Sequence, residues 1–346
     1  MNVVGWQLEQ VLAAMEVPFP ELTGLRLSSS GETMPVIPDS FLDGFAPRLQ
    51  YFELDRIPFP ALPKLVLSAT HLVDLWLTNI PHSGYISPEA IVALISPLSS
   101  LESLHLGFQS PQSGPDRETR PPPLSKRSVM PALNDFRFKG VTEYLEDLVT
   151  GIDAPQLDDM RITFFNQIDF HTPQLTQFIN RTPKLEKRDT AVLFHDRFVR
   201  VELSPGTLMI ATKCREPDWQ LSSIEQFCNS LHPLPMVEDL YIEHRYRRLV
   251  WKNDAVENTL WFQLLHPFTA VKNLYLSEEF APDIAATLQE LVGGRIAELL
   301  PSLENIFVLG LEPSGPFQEK IGKFVEARQL YSHAIAISDW DGHRRR

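Results

Sequence analysis

The sequence predicts an α/β fold, a curved solenoid with parallel strands on its concave face and helices on its convex face. Three observations carry this reading. Leucine supplies 47 of 346 residues, with 29 prolines and only 16 glycines, so proline lies above and glycine below their usual shares of about 5% and 7%. That balance disfavours the glycine-rich phosphate-binding folds. A short phrase, Pro-x-Leu-x-x-Leu-x-Leu, recurs along the chain. Its first apolar positions, Leu22, Leu49, Leu72, Leu101, Leu133, Leu157 and Leu185, are 27, 23, 29, 32, 24 and 28 residues apart. A period of roughly 20–29 residues with the pattern Leu-x-x-Leu-x-Leu is the signature of a leucine-rich-repeat horseshoe.

Each copy has a physical reason to be a strand followed by a return helix. Leu-x-Leu alternates with period two, which puts both side chains on one face of a short strand. A parallel neighbour needs a long crossover, and a helix supplies it. At the start, Gln7 to Val17 places Leu8, Val11, Leu12 and Met15 on one helical face. The strands follow at Leu25 and Leu27, Phe52 and Leu54, Leu75 and Leu77, Leu104 and Leu106, Phe136 and Phe138, and Met160 and Ile162. Pro20, Pro47, Pro131 and Pro155 precede four of them; proline lacks an N–H and cannot continue the preceding helix. Ser87-Pro88-Glu89 reads as an N-cap, a first-turn proline and an early acid. Helices are expected over Thr142 to Ile152, Thr172 to Ile179, Ser222 to Leu231 and, longest of all, Asp283 to Leu300, stopped by Pro301. Between Leu185 and Val237 the gap is 52 residues, two periods with one poor copy that Phe198 to Leu203 would fill. Later copies begin at Val237, Val271 and Leu303. The domain reading is one solenoid over 1–316 with a Pro-rich loop insertion at 110–127, then a capping helix, Phe317 to Tyr331, and a frayed tail from Asp339.

Composition limits the function classes. Lys and Arg total 31 and Asp and Glu 44, a net charge of −13, against the basic footprint expected of a duplex-binding protein. Cys214 and Cys228 cannot build a disulfide framework, which favours a reducing compartment, cytoplasmic or nuclear. No apolar run reaches the length of a membrane span, and the N-terminus lacks a basic signal region. The expected partners therefore exclude nucleic acid and membrane.

Residues between the core positions of each strand point to the concave side. One row reads Gly24, Tyr51, Asp74, Ser103, Asp135, Asp159 and, later, Asp239, Asn273, Asn305. The other reads Arg26, Glu53, Trp76, His105, Arg137, Arg161 and, later, Tyr241, Tyr275, Phe307. Strands lie about 4.8 Å apart, so each row is continuous. Trp, Tyr and Arg are the residue types enriched in binding hot spots. Asp74, Trp76, His105, Asp135, Arg137, Asp159, Arg161, Tyr241 and Tyr275 are the candidate partner-binding residues. The alternative is that the rows pair internally, Asp135 with Arg161 for instance, and stay solvated.

Other clusters carry less chemistry. Cys214, Cys228 and His232 lack the paired Cys-x-x-Cys spacing and fourth ligand of a zinc site, and Cys228 reads as a buried thiol. His195, Asp196 and His171 have no nucleophile motif beside them. His244, Arg245, Arg247, Arg248 and Lys252 with Tyr246 and Trp251 form a basic cluster that suits an acidic partner or a solvated face better than RNA. No catalytic residue, cofactor or metal is expected.

Specific segments go beyond the generic repeat. They are Pro38-Asp39-Ser40-Phe41-Leu42, Ile57-Pro58-Phe59-Pro60, Leu62-Pro63-Lys64-Leu65, Ser68-Ala69-Thr70-His71-Leu72, Ile80-Pro81-His82-Ser83-Gly84-Tyr85 and Phe138-Lys139-Gly140-Val141. This text resembles the F-box and leucine-rich-repeat proteins of mushroom-forming (basidiomycete) fungi, densely from about Phe19 to Leu185 and thinly beyond Leu203. In that family an N-terminal F-box docks a Skp-type adaptor of a cullin ubiquitin ligase while the repeats capture a client. The resemblance implies the repeat portion only, because Met1 to Pro18 is too short a stretch for the helical F-box. It implies a non-catalytic role: recognition of a client protein, with a Skp-type adaptor as partner only where an F-box precedes the repeats.

Overall fold

The computed structural model describes residues 2–3, 5–29, 36–60, 62–111, 127–165, 172–186, 189–195, 198–204, 207–213, 217–230, 234–244, 258–291, 295, 297–311, 315–330 and 333–341. The chain forms two compact units, one of Met1–Phe165 with Thr172–Leu185, the other of Asn166–His171 with Glu186–Arg346.

The first unit runs β1 (Asn2–Val3), α1 (Gly5–Ala14), β2 (Gly24–Ser29), β3 (Tyr51–Asp55), α2 (Leu62–Ser68), β4 (Asp74–Ile80), α3 (Pro88–Ile95), β5 (Ser103–Phe108), β6 (Ser128–Val129), β7 (Asp135–Gly140), α4 (Thr142–Thr150), β8 (Ile152–Asp153), β9 (Asp159–Phe164), α5 (Pro173–Asn180) and α6 (Pro183–Glu186). The main sheet is parallel throughout, in the order β1-β2-β3-β4-β5-β7-β9. The short strands β6 and β8 pair separately.

The recurring leucine pattern is what sets this register. Phe52, Leu75, Leu104, Phe136 and Met160 are partners across successive strands, and all five are 0% exposed. Two residues further on, Leu54, Leu77, Leu106, Phe138 and Ile162 repeat the arrangement and are also buried. From the second copy on, the first leucine is buried too, and in five copies it closes a tight turn: the N–H of Leu49, Leu72, Leu101, Leu157 and Leu185 donates to the carbonyl three residues earlier. Each strand then enters the sheet by one device. Gln50 and Tyr51 both donate to Thr23 O, Val73 and Asp74 to Gln50 O, Glu102 and Ser103 to Val73 O, and Asn134 and Asp135 to Glu102 O. One carbonyl thus holds two N–H groups of the next repeat, which locks neighbouring copies in step.

The helices cover one side of the sheet. α3 packs on α4 and α4 on α5, and Leu145, Leu148 and Val149 of α4 are buried. Since buried and open residues alternate along β4, β7 and β9, the buried set lies under the helices and the other set forms the open face. The Ser87 N-cap is present, its side chain accepting from Ala90 N at 3.2 Å with Pro88 in the first turn. The segment Leu42-Asp43-Gly44 is left-handed in all three residues, a costly conformation for the first two; at Gly44 a side chain would also meet Lys64 at 2.8 Å.

The second unit contains β10 (Thr190–His195), β11 (Phe198–Ser204), β12 (Thr207–Lys213), α7 (Pro217–Ser230), β13 (Asp239–His244), α8 (Asn258–Leu265), β14 (Asn273–Leu276), α9 (Ala281–Gln289), β15 (Asn305–Leu309), α10 (Pro316–Leu330) and β16 (Ala336–Trp340). From β13 to β16 the strands are parallel and in sequence order, and β10 joins β13 in parallel. The same two-donor carbonyl recurs, with Lys272 and Asn273 on Glu238 O and Glu304 and Asn305 on Lys272 O.

Three expectations are corrected in this unit. Phe198 to Leu203 is not a parallel copy: β11 is antiparallel to both β10 and β12. The links at 196–197 and 205–206 are two residues each, far too short for a parallel crossover, so the chain reverses as a meander. The longest expected helix, Asp283 to Leu300, ends at Gln289; Gly293 and Gly294 are poor helix residues, and Leu300 has a φ of 46°. Asp339 and Trp340 are not frayed but belong to β16, which pairs with β15. A helix, α10, occupies the place expected for the terminal one, and it leads into β16. Most of the Pro-rich insertion, 112–126, and the last residues, 342–346, lie outside the described residues.

Candidate interaction face

The open face of the first unit is assembled by register alone. Arg26, Glu53, Trp76, His105, Arg137 and Arg161 are direct partners on β2, β3, β4, β5, β7 and β9. One step toward the strand starts, Gly24, Tyr51, Asp74, Ser103, Asp135 and Asp159 form the parallel row. Seven of the nine residues singled out in the sequence therefore lie on one face of the sheet, but the expected exposure of His105 is corrected: only 7% exposed, it is buried between Trp76 and Asp135.

Aromatic contacts join its middle. Trp76 stacks on His105 with centroids 4.3 Å apart and planes 15° apart, and Tyr51 meets Trp76 edge-on at 5.4 Å. Such contacts contribute about 0.5–1.5 kcal/mol each beyond burial. The Trp76 indole donates to Ser103 Oγ at 3.1 Å, and His105 Nε2 lies 3.0 Å from Asp135 Oδ2.

On β7 and β9 the charges pair along the strand. Arg137 binds Asp135 through Nε and Nη2, and Arg161 binds Asp159 through Nε at 2.8 Å and Nη2 at 2.7 Å. The anticipated pair between Asp135 and Arg161 is thus replaced: each arginine folds back on the aspartate two residues earlier, which shares its face of the strand. Arg26 reaches Glu53 at 3.0 Å across β2 and β3, and Tyr51 donates to the same carboxylate. Burial and that bond to Glu53 push the Tyr51 phenol up to about 12.

Asp74 and Asp135 of this row titrate in opposite directions. Burial would raise Asp135, but bonds from His105 and Arg137 outweigh it and hold the carboxyl below its ordinary value. Asp74 is raised, first by burial and then by the charge of Glu102. Beyond these rows, Asp55 accepts from Ser28, Thr78 and Asn79, and Asn79 receives Lys139 Nζ at 3.3 Å. This network joins four strands and was not singled out in the sequence; aligning the third open-face position of each copy would have shown it.

In the second unit the rows turn inward. Tyr241, Tyr275 and Phe307 stack in register at 4.1 and 4.6 Å, and Trp340 of β16 packs on the two tyrosines at 5.8 and 5.5 Å. Tyr241 and Tyr275 are only 2% and 4% exposed. Their expected place on an open surface is corrected: the rings are used within the unit. Beside them Asn273 donates to Asp239 and Asn305 to Asn273, an amide ladder that keeps three strands in register.

Ser103, His105 and Asp135 invite comparison with a hydrolytic triad. The Ser103 hydroxyl, however, is bonded to Trp76 and Asp74, whereas a triad requires the serine on the imidazole. A cavity of about 10 Å³ lies among Leu54, Ile57, Phe59, Leu77 and Ile80, room for about one water. Cys228 is buried, which pushes its thiol up. Cys214, His232, His171, Asp196 and the cluster Arg245, Tyr246, Arg247, Arg248, Trp251 and Lys252 lie outside the described residues. Among the described residues no helix is long and apolar enough to cross a membrane.

No family profile matches the chain, and no curated protein matches it. Among solved structures it is similar to an internalin of Listeria monocytogenes, at 11% identity over 94% of this chain and 88% of that one. The TM-score is 0.27, too low for the likeness to bear on function.

Proposed function

We infer that the chain is a leucine-rich-repeat interaction module whose first unit recognises a protein partner through its open sheet face. The observation that carries this reading is the row Trp76, His105, Arg137, Arg161. Its members are aligned on four neighbouring strands by the repeat, and three of them, Trp76, Arg137 and Arg161, stand outside the buried core. Aromatic and guanidinium groups held in a fixed array by backbone register, with their carboxylates already paired, lose little freedom on binding. In finer form, the family resemblance of the sequence makes the partner a client presented to a cullin-type ubiquitin ligase. The role is binding, not catalysis.

The test is comparative affinity purification of the tagged chain and of the W76A/R137A/R161A variant, each from the cells that express it. The reading expects partners recovered with the first and lost from the second, at equal thermal stability. A Skp-type adaptor and cullin among the co-purified proteins supports the finer form. Identical recoveries from both chains would reject the face.

A further inference from the structure

The open face is nearly balanced in charge by count but not by depth. In its three arginine–carboxylate pairs the guanidinium is the outer partner each time: Arg26 is 61% exposed and Glu53 7%, Arg137 45% and Asp135 21%, Arg161 40% and Asp159 26%. The carboxylates are the less exposed partners, and each accepts at least two bonds. Glu53 accepts from Arg26 and Tyr51, Asp135 from His105 and Arg137, and Asp159 twice from Arg161. Arg137 spends Nε and Nη2 on Asp135, and a guanidinium has five donors, so its outer edge still faces solvent. Hence a protein of net charge −13 presents cations outward on this surface.

Charge also varies along the surface. Asp74 and Glu102 stand at the starts of β4 and β5, close enough for Glu102 to raise the Asp74 carboxyl. The stretch beside Trp76 is therefore acidic and aromatic, with Arg26 two strands further out, while the β7–β9 end carries Arg137 and Arg161 side by side. Trp76 and Arg161 are three strands apart, about 14 Å at about 4.8 Å per strand. An extended chain covers that in about four residues, at about 3.3 Å each.

We propose that the partner is an extended acidic peptide segment that crosses the strands of the first unit, resting an apolar or aromatic side chain on Trp76 and placing one or two carboxylates, about four residues away, on Arg137 and Arg161. This rests on the interaction reading above and adds the chemistry of the partner. A uniform polyanion fits less well, because Asp74 and Glu102 repel it beside Trp76, between Arg26 and the β7–β9 pair.

The experiment pans a random dodecapeptide library on the full chain, on R137A/R161A and on W76A, with R137Q/R161Q as a second variant should the alanines impair folding. Selected peptides are then titrated by fluorescence anisotropy at low and high salt. The proposal expects peptides with an aromatic or apolar residue three to five positions from Asp or Glu. It expects at least about a tenfold loss of affinity in the arginine variants and a further loss with salt, since outer pairs are screened. Peptides that need Trp76 but carry no acid would overturn the acidic partner and leave the face standing. Peptides indifferent to all three residues would overturn both, and no enrichment on the full chain would overturn the proposal. Tighter, arginine-dependent binding of a labelled oligouridylate would overturn it in favour of a polyphosphate.

Discussion

Asp74 and Asp135 occupy one row two strands apart, yet their surroundings pull them in opposite directions, and this makes the face measurable one residue at a time. The folded value of Asp135 is depressed, so its contribution to stability is full above the unfolded value of about 3.9 and is lost as pH falls through the folded value. Asp135→Asn should cost about 1.5–3 kcal/mol at pH 7, the scale of a hydrogen bond to a charged group, with the cost shrinking toward pH 3 in urea unfolding. Asp74 has the reverse sign. Its folded value is raised, so its contribution is present below the unfolded value and is lost as pH rises through the folded one. Asp74→Asn should therefore raise the unfolding midpoint at pH 7 and leave it nearly unchanged at pH 3. Equal responses of the two variants at both pH values would contradict the geometry of His105, Arg137 and Glu102 around them.

At the level of elements, the parity of a strand decides what a side chain is worth. On β7, Phe136 faces the helices and Arg137 the solvent. Phe136→Ala should cost about 3–5 kcal/mol and Arg137→Ala less than about 1 kcal/mol, read from the shift in denaturant midpoint at constant slope. Ser87→Ala should cost about 1 kcal/mol by removing the cap of α3. These strands were legible in the sequence because Leu-x-Leu fixes both parity and register, and a one-residue slip would bury Trp76 and Arg137. The meander β10–β12 was not legible. Alternating apolar residues look the same in parallel and antiparallel strands, and only the two-residue links betray the reversal. Nor was the burial of Tyr241 and Tyr275, which depends on Trp340 in a strand far along the chain and in a segment whose polar composition reads as a tail.

Across the whole molecule, the sum of charges and the exposed charge differ. The net value of −13 describes the chain, but it does not describe the surface formed by Arg26, Arg137 and Arg161, whose carboxylate partners are drawn beneath them. The sequence named those residues and could not rank their depth, since depth follows from which partner each arginine folds back on. The same holds for what the repeat is for: a register that aligns Trp76, Arg137 and Arg161 for the sheet's own reasons also leaves them outside the buried core. The most direct test of this face is site-specific photo-cross-linking in the cells that express the chain. A benzophenone amino acid is placed at Arg26 or Arg137 on the open face, or at Leu67 on α2, which is equally exposed on the helix side. Cross-linked partner from positions 26 and 137 and none from 67 is the expected result; partner captured from 67 alone would contradict it.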